Sequence, residues 1–257
     1  MRKIIPLLLS AAVLQCCSGD FRAEISTDAV SAVAKADTPA VKLDTVGVLR
    51  TSEWKFEDPH AQLSKKQVLD LYNQELKPRA HELRESSISA DTAFYLALKQ
   101  LWPAWYGTEW DFNGYTHKPR DGQIACGYFV STTLRDAGMI LNRYDLAKLY
   151  SHAICTNICG EVQEYVLLDD VVSYIRSQPD DIYIVGLDSH VGFLIKELGE
   201  VFFVHSNYLE ESTVTKELAI QSEALNGSDV YVLGSILSNT DILGKWRGAQ
   251  EIKISKD

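Results

Sequence analysis

Apolar residues recur at helical intervals in the first half of the chain and gather into short blocks in the second. Ser64 and Gln67 stand at capping-box spacing, and Val68, Leu69, Leu71, Tyr72 and Leu76 follow until Pro78, which is expected to stop the helix. A second helix is predicted over Asp91 to Leu101, with Phe94, Tyr95, Leu98 and Leu101 on its apolar side and Pro103 beyond it. A third follows Gly122. Phe129, Val130, Thr133, Leu134 and Ala137 share a face there, Gly138 is a suitable stop, and Cys126 falls in the first turn. Later, Ile182 to Gly186, Val191 to Ile195, Val201 to Val204 and Val230 to Leu233 are β-rich runs separated by Gly, Asp, Ser and Asn. Helices followed by strands define an α+β fold.

Two N-terminal segments stand apart from this pattern. Arg2 and Lys3, the apolar run Ile4 to Leu14, and the polar end Gln15-Cys16-Cys17-Ser18-Gly19 read as an export signal over residues 1–17, too short to span a bilayer. A cysteine at the cleavage point resembles the lipobox of bacterial lipoproteins, with Cys16 or Cys17 as the lipidated residue; an exported protein, periplasmic or anchored at the outer membrane, is the expectation. Residues 18–44 are rich in Ala, Ser, Thr, Asp and Lys and read as a tether or loosely ordered leader. Residues 45–257 are left as one folded domain, large enough to bury a core without a disulfide framework. The net charge of −10 argues against a nucleic-acid partner, because binding phosphates needs a concentrated Lys/Arg surface.

The candidate chemistry starts at Cys126. A thiol in the first turn of a helix meets unpaired backbone N–H groups and the positive end of the helix dipole, which favour thiolate. The N–H groups of Cys126 and Gly127 can also hold an oxyanion, and small Ala125 and Gly127 leave the sulfur approachable. A lone cysteine among apolar residues is more often a core residue, so a base must be found elsewhere. His190 and His205 lie in the strand region, on runs joined by a hairpin around Leu198-Gly199. Registers that set His190 opposite His205 or Asn207 put both on its side of the sheet; the intermediate register puts Ser206 there.

A helix-initiating Cys126, then His190-Val191-Gly192 on a strand, then a polar residue on the next strand resembles the NlpC-type cell-wall endopeptidases, which are papain-like cysteine peptidases. The resemblance covers about Gly122 to Asn207 and implies a helix bundle packed on an antiparallel sheet. It implies Cys126 as nucleophile, His190 as general base and acid, His205 as orienter with Asn207 in reserve, a peptidoglycan stem peptide as substrate, and no cofactor. The sequence departs from the family at Ala125-Cys126-Gly127, where Asp-Cys-Ser is common, and carries an insertion around Tyr144 to Glu164. A silent papain-like module that binds cell wall or a partner protein, and a thiol acyltransferase or amidase acting elsewhere, are the alternatives.

Further residues carry weaker signals. Within the insertion, Cys155 and Cys159 read as a short disulfide loop, as two free thiols, or, with His152, as a metal site lacking an evident fourth ligand; no metal is assigned. A disulfide there would leave Cys126 as the unpaired thiol of the domain. Trp110, Tyr115 and Tyr128 are candidates for a substrate groove beside Cys126, although core packing is the commoner use of such rings. His60, His81 and His117 read as surface residues.

Overall fold

The computed structural model describes residues 54–209 and 211–256, so the export signal, the lipidation candidates Cys16 and Cys17 and the leader lie outside the described residues. Helix α1 (Lys65–Leu71) begins with the expected capping box between Ser64 and Gln67. Pro78 does not end it. A π-helical turn over Tyr72–Leu76 intervenes, in which the Lys77 N–H reaches back to the Tyr72 carbonyl, and α2 (Lys77–Glu85) continues beyond it. Pro78 thus stands in the first turn of a new helix, where a missing N–H costs little.

Helix α3 (Ala90–Lys99) matches the second predicted helix, and the Trp-Pro-Ala-Trp segment forms a short helix α4 (Trp102–Trp105) with both tryptophans buried. Helix α5 (Cys126–Asp136) places Cys126 at its first residue, and Gly138, at φ +104°, ends it in the left-handed conformation glycine tolerates. Strand β1 (Ile140–Leu141), helix α6 (Arg143–Ala147), helix α7 (Ser151–Ile158), strand β2 (Val162–Tyr165) and helix α8 (Leu168–Ser177) follow. Then come β3 (Ile182–Gly186), β4 (Val191–Glu197), β5 (Glu200–Ser206), β6 (Val214–Leu218), the short α9 (Glu223–Asn226), β7 (Tyr231–Ser235), α10 (Thr240–Arg247) and β8 (Glu251–Ile252).

Six strands form an antiparallel sheet in the order β2-β7-β3-β4-β5-β6, and β1 pairs with β8 in parallel. Alternation along the strands divides the core. Ile182, Ile184, Phe193, Ile195, Phe202 and Val204 face the larger cluster, which holds Phe94, Trp102, Trp105, Phe129 and Trp246 from the helices. Tyr183, Val185, Leu194, Val201 and Phe203 face α8, whose Leu168, Val171, Val172 and Ile175 recur at the helical interval. Covering on both faces explains why β3 and β4 read as unbroken apolar runs. The α+β class with an antiparallel sheet is therefore observed. Strands β1, β2, β6 and β8 are additions to the sequence reading.

Candidate functional site

The site is assembled where the start of α5 meets the start of β4. Ala125 is the N-cap, in extended conformation and without a capping hydrogen bond from its own side chain. The approach to it is tightly tied. Ile124 N–H donates to the Glu109 carbonyl at 2.9 Å, Ala125 N–H donates to the Gly114 carbonyl at 2.8 Å, and the buried Ser206 hydroxyl donates to the Ile124 carbonyl at 2.7 Å. Gly114 has no room for a Cβ, which would lie 2.6 Å from the Gln123 carbonyl carbon. Gly127 is equally constrained, because a Cβ there would stand 2.5 Å from the Ala147 carbonyl oxygen. The small residue after the cysteine is thus required by the packing of α5 against α6, and not only by the approach of a substrate.

The Cys126 thiol is only partly exposed, and the backbone N–H of Val191, the residue after His190, reaches it. Burial pushes this thiol above its ordinary value; the N–H groups of Val191, Gly127 and Cys126 pull the other way without cancelling it. The helix dipole therefore does not produce the thiolate that the sequence suggests. Desolvation of the sulfur outweighs it.

The hairpin turns at Leu198 and Gly199, both at positive φ, and its ladder sets Phe193 opposite Val204 and Glu197 opposite Glu200. Continued, this register puts His190 opposite Asn207 and diagonal to His205, all on one side of the sheet as predicted; this is the side on which Leu194 and Phe203 face α8, whereas α5 with Cys126 packs on the other. The diagonal contact is the one made. His190 Nε2 lies 2.8 Å from His205 Nδ1, with the rings nearly perpendicular. Asn207 Oδ1 instead accepts the Leu209 N–H at 2.9 Å and closes the following turn.

Both rings are buried, His190 at 3% exposure and His205 at 0%. Burial, and for His190 also the neighbouring His205, lowers their pKa values, that of His190 strongly. Both are neutral near pH 7. Gly192 makes room for the pair: a Cβ there would meet the Phe203 ring at 2.6 Å and His205 Cβ at 2.8 Å.

Three participants had no sequence signal. Glu217 on β6 lies 3.1 Å from His205 Nε2, Phe203 stacks on the His205 ring at 4.0 Å, and the Tyr208 ring stands 4.9 Å from that of His190. Only the β5–β6 register, Phe203 opposite Glu217 and His205 opposite Thr215, brings Glu217 here.

The groove candidates separate. Trp110 packs on Tyr208, beside His190. Tyr115 and Tyr128 form a chain of rings with Tyr144 around the buried Arg143, and Tyr115, 61% exposed, lines a cavity of about 400 Å³ bounded by residues of the Asp111 to Gln123 segment. Cys155 and Cys159 are not joined. Each is a free, buried thiol: Cys155 sits in α7 with its sulfur near the Ile184 and Val232 carbonyls, while Cys159 packs against Gly234. Burial raises both, Cys155 to about 12 and Cys159 well above its ordinary value. No His/Cys/Asp/Glu cluster suited to a metal occurs among the described residues, and His152 instead stacks on Tyr150. No helix among them is long and apolar enough to cross a membrane.

Against family models, curated proteins and solved structures, the chain finds no match in any of the three comparisons.

Proposed function

We propose that the protein is a cysteine-dependent amide hydrolase of the NlpC-type, papain-like kind, with Cys126 as nucleophile and His190 as general base and acid. The observations that support this reading are a thiol at a helix start, touched by the N–H of Val191, the residue after His190, and a His190 imidazole coupled to His205; no hydrogen bond joins the sulfur to the His190 ring among the described residues. Thiol and imidazole are both neutral at rest, so the proton moves during attack. The sulfur bonds to the amide carbon as His190 takes the thiol proton, the carbonyl oxygen gains charge toward the Cys126 and Gly127 N–H groups, and the imidazolium returns the proton to the departing amine. Water then attacks the thioester with His190 as base, and the acid is released. The substrate we favour is a stem-peptide amide of peptidoglycan, reached by an exported, lipid-anchored enzyme that needs no cofactor.

A binding-only module is the second reading, favoured by the raised Cys126 thiol. The two separate on digestion of muropeptides with the purified chain. The hydrolase releases fragments, and Cys126→Ser and His190→Ala abolish release while retaining the wild-type melting transition. Iodoacetamide at pH 7 provides the substrate-free arm, in which His190→Ala slows alkylation of Cys126 at least tenfold. Alkylation indifferent to His190, with no fragment released from any wall type, sinks the hydrolase. Alkylation that depends on His190 without fragments sinks only the wall substrate and moves the search to other amides or to acyl transfer.

A further inference from the structure

We infer that Glu217 is a positioning residue that fixes the tautomer of His190 through His205, so that the proposed base is one end of a His190–His205–Glu217 chain. The inference rests on the hydrolase reading for its catalytic meaning, but its geometric content stands apart.

The chain has a direction because each member offers different hydrogen-bonding capacity. An ionised carboxylate only accepts, so Glu217 Oε1 at 3.1 Å requires the proton on Nε2 of His205. In a neutral ring the other nitrogen is then a bare acceptor. His205 Nδ1, 2.8 Å from His190 Nε2, therefore takes a hydrogen from His190. That leaves His190 Nδ1 without a proton, which is the state a general base needs. With the opposite tautomer in His205, its Nε2 lone pair would face the carboxylate, an arrangement with no hydrogen between two acceptors. A charged His205 would reverse the link to His190, donating to His190 Nε2 and forcing the proton of neutral His190 onto Nδ1. Full burial of His205 opposes that charge.

Glu217 is held ready for the role. It is ionised below its ordinary range, because the His205 contact and the Ser222 hydroxyl outweigh burial of the carboxyl. Phe203 stacked at 4.0 Å fixes the His205 plane, and Tyr208 lies against His190. A carboxylate placed merely to stabilise β6 would not need an imidazole partner with 0% exposure.

The test is ¹⁵N-histidine NMR of the full chain at pH 7.5, read together with Cys126 alkylation. Wild type and Glu217→Asp should show single Nε2–H tautomers for both His190 and His205. Glu217→Gln, whose amide can donate as well as accept, should mix the tautomers and slow His190-dependent alkylation at least tenfold, with Glu217→Asp retaining most of the wild-type rate. An Nδ1–H tautomer at either ring in the wild-type protein overturns the inference without any variant having to fold. So does Glu217→Gln with both tautomers unchanged and alkylation within twofold of wild type. If the tautomers are as inferred but His190→Ala leaves alkylation unaltered, Glu217 is confirmed as the tautomer lock and the hydrolase reading is what falls.

Discussion

At Cys126 two influences compete, and their balance separates this thiol from the other two in the described fold. Three N–H groups favour the thiolate and partial burial opposes it, whereas Cys155 and Cys159 are raised further under nearly complete burial. Site-resolved mass spectrometry after brief alkylation of native protein should therefore find Cys126 modified first, with Cys155 and Cys159 reacting only when urea opens the core. Equal labelling of all three would contradict the described packing. Gly127 provides a stability test at the same spot. Its absent side chain is replaced by contact with the Ala147 carbonyl, so Gly127→Ala should cost about 1–3 kcal/mol in urea denaturation by overpacking.

Among the elements, the segment from Asp111 to Ala125 governs how the thiol is presented. Arg143, 2% exposed, donates to the Tyr115 and Thr116 carbonyls and to the Thr132 hydroxyl, which joins this segment to α5 and α6. Arg143→Met should leave those acceptors unpaired, costing about 1–3 kcal/mol. Hydrogen exchange should quicken across residues 111–125 before it does in the sheet, whereas uniform protection would remove Arg143 from this role.

What the sequence disclosed follows the same division between local and distant causes. The α5 start, the His190 hairpin and the strands β3, β4, β5 and β7 were legible because period and turn chemistry are local. Strand β6, Val-Thr-Lys-Glu-Leu, was not, since Lys216 and Glu217 break its apolar alternation and find their partners, Glu197 and His205, only across the sheet. The edge strand β2, Val-Gln-Glu-Tyr, pairs only with β7 and shows no apolar run for the same reason. Pro78 misled because a π-helical turn over Tyr72–Leu76 absorbed the break. The direction of the thiol shift was hidden too, since burial depends on every element around the sulfur.

Across the whole molecule, two neutral histidines inside the fold make stability depend on pH. The unfolded chain takes up protons near pH 6.5 that buried His190 and His205 resist, so the unfolded state binds more protons as pH falls. Their neutral burial costs nothing above that value and penalises folding increasingly below it. Glu217 acts in the same direction at lower pH, because its contribution is lost as pH falls through its depressed folded value. Urea midpoints should fall between pH 7.5 and 5.5, and less so in a His190→Asn variant; an unchanged wild-type midpoint would mean that the rings are not buried uncharged.

The empty position at Gly192, hemmed in by Phe203 and His205 Cβ, gives the experimenter an unusual lever. One added methyl group there would push the imidazole couple out of alignment while every reactive atom, charge and recognition surface stays in the sequence. Under the proposed hydrolase reading, Gly192→Ala would thus provide an inert twin for capture studies, holding an uncut target long enough for it to be identified by mass.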